Sequence, residues 1–177
     1  FMTEISALEI LEKLVSFPTV SDRSNLELID WVEEYLNSFH IETYRKYNDE
    51  RNKASLFAHV GPQIEGGVVL SGHTDVVPVE GQDWDTDPWT LTEKNNKLYG
   101  RGSCDMKGFN ALAIWAMVEG HKGNLKRPLQ IALSYDEEVG CIGAPPMIDE
   151  MIKKLPKASM VIVCLLYTSP SPRDDSQ

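Results

Sequence analysis

Three short segments carry side chains that could do chemistry together. The first is "SGHTDVVP", with His73 just past an apolar run and Asp75 two residues on. A neutral imidazole binds a metal through one nitrogen when an acceptor, usually a carboxylate, holds the other. In extended chain, residues i and i+2 face the same side, so Asp75 is expected to reach the His73 ring. Alone, an H-x-D pair reads as a structural hydrogen bond. The second segment is "LYGRGSCDMKG", where Asp105 stands between a Gly-rich turn and an apolar helix. By itself Asp105 reads as a helix N-cap, which contributes about 1 kcal/mol; the alternative is a carboxylate aimed out of the turn, able to bridge two cations. The third is "QIALSYDEEVGC", an apolar strand ending in Asp136, Glu137 and Glu138. Adjacent like charges repel, and burying them costs several kcal/mol each (roughly) unless something offsets it. In extended geometry Glu137 and Glu138 point oppositely, so one can ligate while the other acts as a base.

Taken together, His, Asp and Glu at strand ends or helix entries of one sheet form a nitrogen-and-oxygen donor set. That set suits zinc, cobalt or manganese better than copper or iron–sulfur clusters. Two divalent cations about 3.5 to 4 Å apart would offset the carboxylate repulsion and activate a water. Metal is the reason such a run of acids can end a core strand.

The elements that position these residues follow from periodicity. "TEISALEILEKLVSF" places Ile5, Leu8, Leu11, Leu14 and Val15 at helical spacing, with Ser6 and Glu9 as a capping box and Pro18 as its stop. A second amphipathic helix is expected from about Asn25 to Phe39. "IETYRKY" and "ASLFAHV" read as strands, and Val68 to Leu70 reads as a fully buried strand. Residues 81 to 100 read as a long loop, with Trp84 and Trp89 pinning it. A mostly apolar helix from about Met106 to Glu119, a strand at 129 to 135, a helix across Ala144 to Lys154 and a strand "ASMVIVC" complete the pattern. Alternating strands and helices indicate an α/β fold with a mainly parallel sheet flanked by helices, whose sites lie at the C-terminal ends of strands.

Bulk properties narrow the function. The chain has 177 residues, 42% hydrophobic and 25% charged, with a formal charge of −10, as expected of one soluble domain. The negative charge opposes nucleic acid and anionic membranes as partners, and no apolar run approaches the roughly 20 residues of a membrane span. The N-terminal stretch lacks the pattern of a signal peptide. Three cysteines, Cys104, Cys141 and Cys164, form an odd count without metal-finger spacing, so the cytoplasm is the expected compartment. Cys104 beside Asp105 invites a thiol-nucleophile reading, but the sequence shows no electropositive surroundings to activate it, and inert packing is the better account. His40, His59 and His121 lack carboxylates at ligand-like spacing and read as ordinary residues.

"SGHTDVVPVEGQDWDTDPWTLTEKNNKLYGRGSCDMKGFNALAI" followed by "SYDEEVGCIGA" resembles the co-catalytic di-zinc amidohydrolases, which include acetylornithine deacetylases, succinyl-diaminopimelate desuccinylases, aminoacylases and related carboxypeptidases. The resemblance covers residues 4 to 163. "GRGSCDMKGF", "PLQIALSYDEEVGC" and "DWDTDPWTLTE" are most similar to the acetylornithine deacetylase branch. It implies a truncated metallopeptidase-like catalytic domain with two divalent metal ions, Zn2+ or alternatively Co2+. His73 and Glu138 would each bind one metal and Asp105 would bridge both; Asp75 would orient His73, and Glu137 would be the general base and acid. It also implies a cis peptide between Asp105 and Met106, a small-molecule N-acyl amino acid as substrate, and a homodimer in the full-length form. The activity implied is hydrolysis of N-acetyl-L-ornithine to L-ornithine and acetate in arginine biosynthesis. Alternatives are a desuccinylase, another N-acyl-amino-acid amidohydrolase, or a non-catalytic metal-binding module. The family's next carboxylate ligand follows the strand matching "ASMVIV", where this chain has "CLLYTSPSPRDDSQ". Residues 1–163 are therefore expected to be the N-terminal part of the catalytic domain and 164–177 a non-native tail, with further ligands and the lid and dimerisation domain absent and the fragment itself inactive.

Overall fold

The structure is a computed structural model and describes residues 2–164. The expectation about the tail thus falls on residues of which all but Cys164 lie outside the described range.

Helix α1 (Ala7–Val15) starts where Ser6 and Glu9 complete the capping box: Ser6 Oγ accepts from the Glu9 amide at 3.3 Å and Glu9 Oε2 accepts from the Ser6 amide at 2.7 Å. It buries Ile10, Leu11, Leu14 and Val15, one stripe of a 3.6-residue repeat. Helix α2 (Leu26–Ser38) buries Leu28, Ile29, Val32, Tyr35 and Leu36 in the same way. Then come β1 (Thr43–Tyr47), β2 (Ala54–Val60), β3 (Gly67–His73), a hairpin of β4 (Thr92–Lys94) and β5 (Lys97–Tyr99), α3 (Lys107–Lys122), β6 (Leu129–Ser134), α4 (Ala144–Lys154) and β7 (Ala158–Val163). The hairpin lies inside the stretch expected to be loop throughout. Its turn residues Asn95 and Asn96 have φ of 55° and 57°, the left-handed pair that a two-residue hairpin turn takes.

Five strands form one sheet in the order β1-β2-β6-β3-β7. Pairing is parallel for β6–β3 and β3–β7 and antiparallel for β1–β2 and β2–β6. The expected α/β class holds, and the sheet is mixed, with its parallel part at β6-β3-β7. On one face Leu56, Ala58, Ile131 and Leu133 pack against α1, α2 and α3; on the other, Phe57, Val69 and Ala132 pack against Met147, Met151 and Leu155 of α4 and its end. The alternation follows from the two-residue period of a strand. Helix α4 opens with Pro145 and Pro146 near its first turn, where a missing N–H costs nothing.

The strand around Val68 to Leu70 is less buried than its apolar run suggests: Val69 is buried beneath α4, while Val68 and Leu70 are half-buried. They lie beside the sheet edge, where β7 exposes Met160, Val161, Ile162 and Val163.

Candidate metal centre

Because β3 and β6 run parallel, with His73 opposite Ser134, their C-terminal ends emerge on the same edge of the sheet. That edge brings His73 beside the acids that follow β6, although 64 positions of sequence separate His73 from Glu137. One nitrogen of His73 and one carboxylate oxygen each of Glu137 and Glu138 all lie within 4.8 Å of one another. His73 Nε2 is 3.1 Å from Asp105 Oδ1 and 3.7 Å from Glu137 Oε2. All four residues therefore converge, with Asp105 joining through the His73 ring. An open pocket of about 400 Å³ beside them is lined by Arg101, Cys104, Asp105 and Glu138 among others.

Each residue is placed by identifiable local structure. The amide of His73 points to Met106 Sδ at 3.3 Å, and its carbonyl accepts from Asn110 Nδ2 at 2.6 Å, which ties the strand end to the first turn of α3. The approach needs Gly72, since a Cβ there would stand 2.0 Å from Asn110 Oδ1. Asp105 precedes α3, whose N-cap position falls on Met106 without a side-chain cap. Asp105 thus lies outside the cap position, and its carboxylate faces His73 Nε2. The Asp105–Met106 peptide is cis. Gly102, with φ +77°, takes the left-handed turn three residues earlier.

The acids after β6 are in a turn, which alters the expected geometry. Asp136 has φ 57°, and residues 137–140 continue as a turn, so Glu137 and Glu138 converge on one space rather than pointing apart. Asp136 turns the other way. Lys53 Nζ bonds both its oxygens, at 2.6 and 2.9 Å, and also the carbonyl of Ser21 at 2.6 Å. Of the three consecutive carboxylates, one is offset by a lysine and two are directed to the histidine.

Asp75 has more partners than its proximity to His73 suggested. Its carboxylate Oδ1 is 3.4 Å from His73 Nδ1, yet the ring lies closer to its backbone carbonyl, at 3.0 Å. Asp75 Oδ1 accepts from the Glu137 amide at 3.0 Å, and Oδ2 accepts from the Glu138 amide at 3.2 Å and from Ser21 Oγ at 2.7 Å. One buried carboxylate therefore links the His73 strand end to the Glu137–Glu138 turn. Segment 19–21 runs beside it: Thr19 Oγ1 bonds the Thr74 carbonyl at 2.6 Å, and Val20 and Val76 form a parallel bridge.

The electrostatics are those of a site crowded with negative charge. Burial opposes a charge on His73, but hydrogen bonds to Asp105 and Asp75 outweigh it and push its pKa up to about 10. For Asp75, burial acts to raise the pKa, and hydrogen bonds from His73 and Ser21 bring it below the ordinary carboxylate value. Burial and then the neighbouring Asp105 push Glu138 up. A divalent cation fits this donor set. With Nδ1 held by Asp75, Nε2 is the nitrogen turned to the carboxylates, and positive charge among them relieves the repulsion that raises Glu138.

The model of peptidase family M20/M25/M40 matches residues 69–176. The chain belongs to that family. It is 38% identical over 145 residues to an acetylornithine deacetylase of Buchnera aphidicola subsp. Schizaphis graminum, covering 78% of this chain and 38% of the relative. The chain thus spans well under half the length of the curated relative it matches. Among solved structures, the fold is similar to the M20 family metallo-carboxypeptidase Sso-CP2 from Sulfolobus solfataricus, with a TM-score of 0.77 and 21% identity, covering 90% of this chain and 37% of that one. It is also similar to the Bacillus subtilis YXEP protein, described as a dinuclear metal binding peptidase from the M20 family, with a TM-score of 0.58 and 17% identity, covering 85% of this chain and 40% of that one. These M20 neighbours share the mixed, helix-flanked sheet.

Trp84 lies under the Arg101 guanidinium, 5.1 Å from its ring centroid, and Arg101 also bonds the Pro78 carbonyl at 3.1 Å, so the long loop is pinned to the Asp105 turn. Trp89 lies 5.8 Å from Lys107 Nζ. Cys104 is exposed rather than packed, and Cys141 and Cys164 are exposed and free. Among the described residues, no helix is long and apolar enough to cross a membrane. Ser21, Lys53 and Asn110 stand in no ligand-like motif of the sequence. The available signals were a Lys heading an apolar strand and a polar Asn on the apolar side of a helix.

Proposed function

We propose that this chain forms the N-terminal part, residues 1–163, of the catalytic domain of a metal-dependent amidohydrolase that hydrolyses N-acetyl-L-ornithine to L-ornithine and acetate. The observation that carries the reading is the convergence of His73, Asp105, Glu137 and Glu138 at one edge of the sheet. The choice of substrate is supported by the 38% identity to the Buchnera acetylornithine deacetylase.

On this reading His73, Asp105 and Glu138 would hold divalent ions such as Zn2+ or Co2+, with further ligands supplied from elsewhere in a longer protein. Bound there, divalent cations supply Lewis-acid polarisation of the scissile carbonyl and lower the pKa of water. Glu137 performs the proton transfers: its carboxylate takes a proton from the attacking water and returns it to the leaving amine nitrogen. Its solvent-facing side chain suits a group that must meet both water and substrate. Asp75 keeps His73 Nδ1 engaged, leaving Nε2 for the metal. The resemblance to the family extends the proposal to a cytoplasmic homodimer acting in arginine biosynthesis.

The test is turnover by the full-length protein, metal-stripped and then reloaded with Zn2+ or Co2+, on N-acetyl-L-ornithine and on N-succinyl-diaminopimelate. Metal-dependent release of acetate with preference for acetylornithine is expected. Preference for the succinyl substrate would move the assignment to the desuccinylase, and metal binding without turnover of either would make the site a non-catalytic module.

A further inference from the structure

Ser21 belongs to none of the ligand segments, yet it sits where they are joined. It is buried, and its hydroxyl donates to Asp75 Oδ2 at 2.7 Å. Its amide donates to the Val76 carbonyl at 3.2 Å, and its own carbonyl accepts from Lys53 Nζ at 2.6 Å. The same ammonium holds Asp136, the residue before Glu137. Ser21 is therefore fixed from two sides, by strand-like pairing to segment 74–76 and by the lysine that anchors the start of the acidic turn.

A carboxylate offers about four acceptor positions, and Asp75 uses them on donors from three parts of the chain: the His73 ring, the Glu137 and Glu138 amides, and Ser21 Oγ. The first three donors belong to the segments that must be held together. The hydroxyl comes from a third segment that is itself tied to both of the others, through the Val76 carbonyl and through Lys53 to Asp136, so it braces the Asp75 carboxylate between them. Without it Oδ1 keeps the Glu137 amide at 3.0 Å, while Oδ2 loses its shorter bond and keeps only the one from Glu138 at 3.2 Å, which loosens the Glu138 side of the link.

We propose that Ser21 is a positioning residue of the metal centre: by holding Asp75 from a third segment, it keeps the His73 strand end and the Glu137–Glu138 turn in the relative geometry in which both face one metal centre. The inference rests on the reading of His73 and Glu138 as metal ligands. Residues that orient a ligand through a hydrogen bond typically change metal affinity by roughly 10- to 100-fold when removed.

The experiment uses the full-length protein, metal-stripped, in three forms: unsubstituted, Ser21→Ala and Ser21→Thr, the last retaining the hydroxyl. Co2+ affinity is measured by titration of its visible absorption, and amide hydrogen exchange is followed at Glu137 and Glu138 without metal. For Ser21→Ala the expected results are a Co2+ affinity at least about tenfold weaker and faster exchange at those two amides than at the β2 and β6 amides of the same sample, with Ser21→Thr restoring both. Unchanged affinity and exchange in Ser21→Ala would overturn the role. So would equal acceleration at all amides, which would mark a loss of general stability. If Ser21→Thr fails to restore a folded chain, Ser21→Cys, which keeps the volume and weakens the donor, must reproduce the Ser21→Ala pattern; wild-type values for it would also overturn the proposal. Failure of the unsubstituted full-length protein to bind Co2+ would overturn the metal reading itself, a result distinct from wild-type exchange in Ser21→Ala.

Discussion

His73 and Asp75 are 4% and 2% exposed, while the side chains of Asp105 and Glu137 present 67% and 44% of their surface to solvent. The two sides of the centre thus hold their groups by different means. On the buried side every polar group named has a protein partner: Ser21, the amides of Glu137 and Glu138, and the ring of His73 all meet Asp75. On the open side carboxylates approach one another, and Glu138 is pushed up by burial and by Asp105. Protein hydrogen bonds organise the first side before any ligand arrives, whereas the second has the charge balance of a site completed by a cation. Stability should therefore be concentrated on the Asp75 side, and metal binding and reactivity should depend more steeply on the other.

The largest effect expected is on stability. Asp75→Ala strands a buried serine hydroxyl and two backbone amides and should cost about 3 kcal/mol, the low end for removing one partner of a buried charged pair. Urea unfolding of the metal-free chain measures it, and a loss below about 0.5 kcal/mol, the level of an ordinary surface change, would abolish the contrast between the two sides. Next is Glu137→Gln in the full-length enzyme. Activity should fall at least about a hundredfold, or roughly 2.7 kcal/mol in barrier, with bound metal unchanged by atomic absorption. Near wild-type turnover would remove Glu137 from the proton transfer.

A smaller, graded effect concerns pH. In the metal-free chain, His73 carries a pKa of about 10 in place of 6.5. The folded state then holds a proton that the unfolded state releases. Its contribution is fully present below about pH 6.5 and is lost as pH rises through about 10, with a slope of at most about 1.4 kcal/mol per pH unit. Urea midpoints between pH 6 and 10 in a chelator should fall accordingly. Saturating divalent metal, which requires the neutral imidazole, should flatten the trend; an equally steep fall with metal bound would detach His73 from the metal. The smallest stability change belongs to Asp105→Ala, about 1 kcal/mol or less for so exposed an ion pair. The same substitution should lower the metal-to-protein ratio, and unchanged stoichiometry would rule out its bridging role.

Much of this contrast was legible in local sequence. The Ser6–Glu9 box, the helical stripes and the apolar runs located α1, α2, α3, β2 and β6, because helix periodicity and strand alternation depend on neighbours a few positions apart. His73, Asp105, Glu137 and Glu138 were visible as chemistry at element ends. The partners that hold them were not: Ser21 reaches Asp75 across 54 positions, and Lys53 reaches Asp136 across 83. A serine in a loop and a lysine before a strand have no local pattern that names a distant acceptor. The β4–β5 hairpin was hidden for another reason, since Asn95–Asn96 is a turn signal set among residues that read as loop.

The sequence by itself determined which side chains are available and which elements end beside them, because those follow from residue type and short-range periodicity. Only the tertiary structure decided how the three consecutive acids divide. The parallel register of β3 beside β6 brings His73 to the acidic turn, and the left-handed backbone at Asp136 lets that residue meet Lys53 while Glu137 and Glu138 face the imidazole. Coulomb energy and hydrogen bonding depend on ångström distances between groups far apart in the chain, and the fold alone sets those distances.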